Sequence, residues 1–198
     1  MPNRATELVW DEPEDDSQAG GLTRAAIVQA AIEIADSDGL DAVSIRRLAA
    51  KLSARPMSLY THIAAKEHLL GLMVNEVVAG VLVPEPLPDD WREALRQIAR
   101  RSHEVFVAHP WTLDAFGRGA PPGPNIQTHG EQSVRAVAGL GLSEREAWTV
   151  LGIVDEYTMG HALRVVLLGD RGPHRLDDSF GVGLEVVLDG IEKRFVSR

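Results

Sequence analysis

Apolar residues recur at intervals of three and four along most of the chain, the spacing that places them on one face of an α-helix. The first run carries Ile27, Ala31 and Ile34 and stops before Gly39, a residue type that favours helix ends. No stretch of the sequence alternates convincingly as a strand does and no internal repeat is found, so the sequence predicts an all-α fold. In the N-terminal part the predicted helices span residues 23–37, 44–51, 56–62 and 66–83. Ser44 is predicted to cap the second of them, and Pro56 suits the first position of the third, because its fixed φ is helical and it lacks an N–H that would be unpaired there.

Three prolines in VPEPLPDD interrupt the helical pattern and predict a boundary between two helical units. Beyond it, Asp90 and Glu93 have capping-box spacing, as do Ser143 and Glu146, so each pair predicts the start of a helix. The polar segment GDRGPHRLDD, residues 169–178, predicts a loop before a last helix. That helix carries one apolar stripe, formed by Phe180, Leu184, Val187, Leu188, Ile191 and Phe195.

Composition narrows the class of protein. At 198 residues with 44% hydrophobic residues, the chain can bury one good core or two small ones. No apolar run approaches the roughly 18 residues that span a bilayer, and the start of the chain lacks the charged-then-apolar order of a signal peptide. The absence of cysteine excludes disulfides and thiolate metal sites and suits a reducing compartment. We therefore expect a soluble, cytoplasmic protein with no membrane partner.

Charge is distributed unevenly around a formal net value of −9. Residues 1–20 carry six acidic side chains against Arg4, a sum of 1 − 6 = −5, and this tail is predicted to be disordered. Residues 44–66 contain no acid and carry five basic side chains: Arg46, Arg47, Lys51, Arg55 and Lys66. By charge alone, such a patch is as typical of an ordinary solvated helix face as of a binding surface.

Two short helices joined by a tight turn lie within this basic stretch. The second and third predicted helices and the turn at residues 52–55 form a predicted helix-turn-helix, a motif whose second helix enters the major groove of DNA. Tyr60 combines a ring that can pack on the helix pair with a hydroxyl that can reach a phosphate. Ser58 and His62 are further phosphate donors, and Lys66 begins the next helix, where an anion is already favoured. These residue types indicate that the patch binds DNA.

The segment SIRRLAAKLSARPMSLYTHIAAKEHLL, residues 44–70, resembles the DNA-binding domain of the tetracycline repressor (TetR) family. The likeness continues in DDWREALRQIARRSHEVFVAHPW, GLSEREAWTVLGIVDEYTMGHAL and GLEVVLDGIEKRF, so that it covers residues 22–196. It implies a three-helix DNA-binding domain followed by a helical ligand-binding and dimerisation domain, and therefore a ligand-responsive transcriptional regulator of the repressor type. The predicted domains are an acidic tail (1–20), the helix-turn-helix domain (21–66), a connecting helix (67–83) and the ligand-binding and dimerisation domain (84–198).

Carried over position by position, the resemblance implies a set of DNA-binding residues. Arg46 matches a position that can reach a base edge, where arginine suits bidentate contact with guanine. Ser53 departs from the glycine usual in the turn, so the turn is either slightly strained or avoids a positive φ. The groove-facing positions are Pro56, Met57, Ser58 and Thr61, and the phosphate contacts are Ser44, Tyr60, His62 and Lys66.

The resemblance also implies a homodimer. In the family the last two long helices pair with those of a second copy in a four-helix bundle, and the stripe from Phe180 to Phe195 fits such burial, although packing within its own subunit gives the same pattern. A two-fold dimer would present its recognition helices to a palindromic double-stranded DNA operator. An effector that prefers the state with splayed recognition helices would release the operator.

The expected effector is a small organic molecule of substantial apolar area. Arg164 and Phe116 stand where the family's namesake holds the magnesium of its drug, and an arginine cannot coordinate a cation, so no metal and no cofactor are expected. Each residue chosen for the effector pocket is also explained as packed core, which is the commoner role of a lone histidine or aromatic residue. The set is His103, Phe106, Trp111, Phe116, His129, Tyr157 and His161.

Two other classes of protein are weighed against the regulator. An enzyme with a helical active site would need paired carboxylates, a nucleophile elbow or a metal motif, and none occurs in the sequence, so no catalytic residue is expected. The alternative is a helical ligand-binding or interaction protein that no longer binds DNA, for which the acidic tail and Ser53 provide some support.

Overall fold

The structure is a computed structural model that describes residues 22–168 and 179–197. The acidic tail and the loop predicted at residues 169–178 lie outside the described residues. Every regular element of the described part is helical, which confirms the all-α prediction. The helices are α1 (Arg24–Asp38), α2 (Ile45–Lys51), α3 (Pro56–Leu59), α4 (Lys66–Val78), α5 (Trp91–Ala108), α6 (Trp111–Gly117), α7 (Pro124–Val137), α8 (Glu144–Leu168) and α9 (Ser179–Ile191).

Two predicted helices are shorter in the structure. The third was expected to reach residue 62, but α3 ends at Leu59 and continues as a turn closed by the N–H groups of His62 and Ile63 on the Leu59 carbonyl, both at 3.0 Å. The fourth was expected to reach residue 83, but α4 ends at Val78 and tightens into the 3₁₀ turn Ala79–Val81. After α4 the apolar pattern continues at Val81, Leu82 and Val83, so there the pattern overstated the helix length.

Helix ends form where the sequence places capping residues. The Asp90 side chain accepts the Glu93 N–H at 2.8 Å, and Thr23 accepts the Ala26 N–H at 3.1 Å. Ser143 and Glu146 form the reciprocal capping box, because Ser143 N–H donates to Glu146 Oε2 at 3.0 Å and Glu146 N–H donates to Ser143 Oγ at 3.4 Å. These short-range bonds satisfy N–H groups that the first turn of a helix leaves unpaired.

The chain divides into two compact units, each assembled from separate stretches. The first unit extends to Val77 and also includes Trp111–Ile126, and the second comprises Val78–Pro110 together with the chain from Gln127 onward. The segment that contains α6 therefore belongs to the first unit, although it lies between stretches of the second in sequence. The limits predicted for the domains, including the ligand-binding domain at residues 84–198, stay a prediction.

The core of the first unit holds the helix-turn-helix in place. Leu48 of α2 and Leu59 of α3 are fully buried, and Ile63 behind them is nearly so. α6 packs against the 3₁₀ turn Leu40–Ala42, and the indole N–H of Trp111 donates to Asp36 Oδ1 of α1 at 2.7 Å. This burial fixes the backbone of α2 and α3, so that their remaining faces point outward.

The core of the second unit is formed by α5, α7, α8 and α9. Its contributors include Leu95 and Ile98 from α5, Val137 from α7 and Val154 from α8. The buried side chain of Gln132 donates to the Val83 carbonyl at 2.7 Å and accepts the Val83 N–H at 3.0 Å. Because Val83 lies outside any helix, this amide satisfies backbone groups that would otherwise be buried without partners.

The apolar stripe of α9 lies in the core of its own unit. Phe180, Leu184, Leu188 and Ile191 are all buried against α5 and α8 within this chain. Of the two explanations left open for the stripe, packing within the subunit is therefore the correct one for these four residues, and Val187 and Phe195 of the same stripe are partly buried against the same core. A different face of α9 is exposed, at Val182 and Val186.

A third face of α9, together with Glu192 directly after it, carries carboxylates that bind two arginines of α5. Arg96 donates from Nε and Nη2 to the two oxygens of Glu185, at 2.7 and 3.2 Å, and Arg92 donates to Glu192 at 2.7 Å and to Asp189 at 2.5 Å. The hydrogen bond from Arg96, with further help from Arg92, lowers the pKa of Glu185 to about 2. The rotation of α9 is thus set by a buried stripe on one side and ion pairs on another.

Candidate functional site

One side of the helix-turn-helix is exposed, and the opposite side is buried in the core of the first unit. Ser44 caps α2 as predicted, accepting the Arg47 N–H at 3.3 Å, and Pro56 occupies the first turn of α3. Side chains on the outer side are well exposed, with relative accessibilities of 73% for Met57 and 51% for Tyr60. Large apolar side chains are rarely left so exposed without a binding role when they are clustered.

Every residue predicted to bind DNA lies in this part of the first unit. Thr61 Oγ1 donates to the Ser58 carbonyl at 2.7 Å, so its hydroxyl keeps only acceptor capacity while that bond lasts. His62 is half-buried, and Lys66 is the first residue of α4. The exposed members of the set are Ser44, Arg46, Pro56, Met57, Ser58, Tyr60, Thr61 and Lys66.

The basic side chains of this surface fall into two groups. Arg47 and Lys51 are paired with Asp38 and Glu33 of α1, the second pair at 2.8 Å. Arg46, Arg55 and Lys66 are exposed and make no ion pair within residues 22–168 and 179–197. The second group is therefore the part of the patch that can meet an external anion without first breaking a bond.

The turn between α2 and α3 adopts a left-handed conformation at Ser53. Its φ is 51°, and within the described chain no other residue except glycine has a positive φ. The Ala54 N–H donates back to the Ala49 carbonyl at 2.9 Å, which is the long hydrogen bond of a Schellman helix end. Of the two alternatives left open by the sequence, the structure selects the strained one.

Replacing Ser53 with glycine is expected to stabilise the protein by about 0.5–1 kcal/mol. A side chain in the left-handed region costs about 1–2 kcal/mol, and the greater freedom of glycine in the unfolded chain offsets part of the gain. Urea unfolding monitored by circular dichroism measures the change. The control is Ala50→Gly, an exposed position inside α2, where glycine should instead destabilise by about 1 kcal/mol. A Ser53→Gly protein no more stable than the parent would contradict the strain.

A cluster of polar and aromatic side chains joins α5, α8 and α9 in the second unit. His103 Nε2 lies 2.9 Å from His161 Nδ1, and His161 Nε2 lies 2.9 Å from Ser179 Oγ. The ring of Phe180 stacks on His103 at 4.1 Å between centroids and on Tyr157 at 5.5 Å, while the Tyr157 hydroxyl donates to the Phe180 carbonyl at 2.8 Å. We call these five residues the histidine cluster.

Both histidines of the cluster are held in the neutral form. Burial, with a further contribution from His161, lowers the pKa of His103 to about 4, and burial together with Arg164 lowers the pKa of His161. A neutral imidazole has one donor and one acceptor, so the bonds from His103 through His161 to Ser179 must run in a single direction. The two histidines therefore offer hydrogen bonds and ring faces to a ligand, and the positive charge beside them comes from Arg164, which donates to Ser179 Oγ at 3.5 Å.

Stability is expected to fall as the pH is lowered from about 6.5 towards about 4. In that window unfolded His103 binds a proton while folded His103 does not, so acid favours the unfolded state, and the contribution is complete only above the unfolded pKa. After allowance for partial exposure, the loss between pH 7.5 and pH 5 should be about 1 kcal/mol. Urea unfolding at the two pH values measures it. His103→Gln should reduce this pH dependence, and an unchanged slope would contradict the assignment.

Not all residues predicted for the effector pocket come together. His103, Tyr157 and His161 meet in the histidine cluster, and Phe106 and His129 lie in the same unit, on α5 and α7. Trp111 and Phe116 lie on α6 in the first unit, where Trp111 bonds to α1. Sequence reasoning did not select Ser179 or Phe180, because Phe180 fits an ordinary apolar stripe and Ser179 follows a polar loop.

Two buried polar atoms of the second unit have no hydrogen-bond partner among the described residues: Ser102 Oγ on α5 and His129 Nδ1 on α7. The side chain of Ser102 is almost fully buried, and it precedes His103 of the cluster in sequence. An unsatisfied buried hydroxyl costs about 1–3 kcal/mol, so its presence calls for a partner such as an ordered water or a ligand group. Ser102 is not among the residues that the sequence predicted for the effector pocket.

Neither a metal-binding cluster nor a membrane-spanning helix is found among the described residues. Within residues 22–168 and 179–197, no group of three or more His, Cys, Asp or Glu side chains is arranged to hold a metal ion. No helix in that part of the chain combines the length and the apolar character required to cross a membrane.

The fold and the exposed surface of α2 and α3 define the class of helix-turn-helix regulators. Residues 83–167 match the family model of the tetracyclin repressor-like, C-terminal domain. A relative from Streptomyces coeruleorubidus is named HTH-type transcriptional repressor DrrR1. It is 30% identical over an alignment 229 residues long, gaps included, which covers 96% of this chain and 85% of the relative. The chain belongs to the TetR family, and it is a transcriptional regulator.

Solved structures show the same architecture. ActR, a TetR family protein of Streptomyces coelicolor determined in complex with (S)-DNPA, is similar with a TM-score of 0.72 and 28% identity, over 87% of this chain and 98% of ActR. ActR has also been determined in complex with actinorhodin. BioQ with its double-stranded DNA operator is similar with a TM-score of 0.70 and 25% identity, over 88% of this chain and 100% of BioQ, and BioQ from Mycobacterium smegmatis matches as well.

Proposed function

We propose that this chain is a homodimeric repressor that binds a palindromic DNA operator through α2 and α3 and is released by a small organic effector. The observation that carries the proposal is the exposed set around Met57 and Tyr60, mounted on the fully buried Leu48 and Leu59. A short helix fixed from behind and exposed in front is suited to insertion into a major groove. BioQ, a protein of the same architecture, has been solved with its operator.

Arg46 is proposed to read a base, because arginine can bond to guanine at two points. The side chains of α3 and the turn after it that are proposed to face the groove are Pro56, Met57, Ser58 and Thr61. The residues proposed to contact phosphate oxygens, which carry no sequence information, are Ser44, Tyr60, His62 and Lys66.

The DNA proposal is tested by fluorescence anisotropy with a palindromic duplex from the region upstream of the coding sequence, at two salt concentrations. Tyr60→Ala and Lys66→Ala should each weaken binding, and salt should weaken it steeply, because each phosphate contact releases a condensed counterion. The matched control is Arg145→Ala, an exposed arginine of α8 in the other unit. Failure to bind this duplex, and failure to select any sequence from a random library, would support the alternative of an interaction protein without DNA.

Dimerisation is proposed to use the exposed apolar faces of α8 and α9. Leu163 and Leu167 on α8 and Val182 and Val186 on α9 are exposed in the single chain. Several large apolar side chains left exposed on two helices are typical of a protein–protein interface when they form one patch. A two-fold dimer would also present two copies of α3 to one duplex. Two copies contact more base pairs than a single four-residue helix can.

The effector is proposed to bind in the second unit against Ser102 and the histidine cluster. Ser102 Oγ is buried without a partner among the described residues, so a polar group of the effector would satisfy it. The ring faces and hydrogen-bonding groups of the cluster suit an organic molecule with a flat apolar part and polar substituents, and Arg164, whose guanidinium lies 3.5 Å from Ser179 Oγ, can meet an acidic substituent. Actinorhodin, which is bound in ActR, is the first compound to test.

The variant Ser102→Ala distinguishes an effector-binding role of the Ser102 hydroxyl from a purely structural role. Removing the unsatisfied hydroxyl should raise the free energy of unfolding by about 1 kcal/mol in the absence of effector, and it should weaken effector binding. Urea unfolding and effector-induced release of labelled operator measure the two effects. The control is Ser133→Ala, because Ser133 Oγ already donates to the His129 carbonyl at 2.9 Å. A loss of stability in Ser102→Ala would contradict the unsatisfied state of the hydroxyl.

A further inference from the structure

The N-terminal segment and the helix-turn-helix surface carry opposite charge. Residues 1–20 hold six acids and one arginine, a side-chain charge of 1 − 6 = −5, whereas residues 44–66 hold five basic side chains and no acid. Five of the six acids lie within residues 11–16. An anionic segment of this density is the kind of partner that a phosphate-binding surface attracts.

The surface keeps cations available for such a partner. Arg46 and Arg55 are exposed and unpaired within the described residues, in contrast to Arg47 and Lys51, which bind acids of α1. Exposed Met57 lies between Arg55 and Tyr60 in sequence. The surface thus combines positive charge with apolar area.

The N-terminal segment has the matching combination. Leu8, Val9 and Trp10 stand together directly before the acids at residues 11–16. A segment that was only a solubilising charge run would not need three adjacent apolar residues, one of them tryptophan. Apolar contact with Met57 and Tyr60 beside ion pairs to the free arginines would use both features.

The length of the connection allows the contact within one chain. Trp10 lies twelve residues before Leu22, the first described residue, and twelve residues can span at most about 40 Å. A unit of about 70 residues has a radius of gyration of about 11 Å, and therefore a breadth of about 30 Å. Half the circumference of such a unit is about 47 Å, so the tether can reach most of the surface of the first unit.

We propose that residues 7–16 dock on the exposed surface formed by Arg46, Arg55, Met57 and Tyr60 and compete with DNA for it. The inference rests on the proposed function in one respect, namely that this surface binds the operator. The docked segment acts as an internal competitor, so DNA binds only if its affinity for the surface exceeds that of the segment. Non-specific DNA, which binds more weakly than the operator, is therefore disfavoured. The effective concentration of a tethered segment is about 1 mM, so a contact with a dissociation constant of about 0.1 mM would weaken operator binding about tenfold.

Methyl resonances of the full-length protein test the docking without DNA. Methionines are labelled with ¹³C at the methyl group, and the parent is compared with two full-length variants. One variant carries Leu8→Ala, Val9→Ala and Trp10→Ala and keeps every acid, and the other replaces the acids at residues 11–16 with Asn and Gln. The Met57 signal, assigned with Met57→Leu, should move in both variants, whereas the signal of buried Met73 in the same unit should not.

Operator titrations of the same three proteins complete the test. Both variants should bind the operator several-fold to about tenfold more tightly than the parent, and the gain should shrink as salt is added. The apolar variant separates docking from repulsion, because a tail that merely repels DNA would leave it with the affinity of the parent. An unmoved Met57 signal in both variants, or a gain confined to the acid-neutralised variant, overturns the proposal. If the parent binds no operator, the proposed function fails. The change in the Met57 methyl signal then shows by itself whether the segment docks.

Discussion

Replacing Arg46 with alanine is expected to weaken operator binding by roughly 5- to 150-fold, which corresponds to about 1–3 kcal/mol. The guanidinium is exposed on α2 and has no ion pair among the described residues, so it is available to bond to a base edge. The loss of a base contact should also reduce the preference for one base at a single position of each half-site of the operator. Anisotropy titrations against a panel of operators with single-base changes measure both effects.

Lys66→Ala is the matched comparison for Arg46→Ala. Lys66 begins α4 and is proposed to contact a phosphate, so its loss should weaken binding to every sequence alike and reduce the salt slope by about 1. The pair of variants thus separates a base contact from a backbone contact. An Arg46→Ala protein that loses the same factor on all operators would show that Arg46 is another phosphate contact.

Val186→Glu is expected to convert the proposed dimer into a monomer. The side chain at this position of α9 is 68% exposed in the single chain, and Val182, one turn earlier, is 64% exposed. Two-fold symmetry would bury the new carboxylate in both copies, and an unpaired buried charge costs several kcal/mol. The dimer dissociation constant should therefore rise at least about 100-fold, which sedimentation velocity measures, and operator binding should fall with it.

Two controls accompany Val186→Glu. Val134→Glu places the same charge on an exposed position of α7 and should leave the protein dimeric. Leu184→Ala, in the buried stripe of the same helix, should instead lower the free energy of unfolding by about 2–5 kcal/mol. If Val186→Glu remained dimeric with unchanged stability, the exposed face of α9 would not be the interface.

The histidine cluster connects the proposed effector site to the packing of α9. Tyr157 lies so close to α9 that a side chain on Gly183 would collide with its ring and hydroxyl. Phe180 belongs both to the cluster and to the hydrophobic core. An effector that moved His103 or Tyr157 would therefore also disturb the core packing of α9, because close-packed cores transmit small displacements.

The sequence alone determined the features that depend on neighbours a few residues apart. The caps at Ser44, Asp90 and Ser143 and the start of α3 at Pro56 formed where they were predicted, because each depends on a hydrogen bond or a φ restriction within one helical turn. The helix-turn-helix followed from the same short-range signals. The ends of α3 and α4 did not, because each helix passes into a turn, at residues 60–63 and at Ala79–Val81, where the sequence predicted further helix.

Only the tertiary structure decided which partner each apolar or aromatic face meets. The stripe from Phe180 onward is equally consistent with a dimer interface and with a core, and the structure buries it against α5 and α8. Trp111 looked like a pocket residue but bonds to Asp36, 75 positions away, and the neutral state of His103 arises from burial beside a histidine 58 positions away. Periodicity shows that a face will be buried, whereas the identity of what covers it depends on long-range packing that no local pattern encodes.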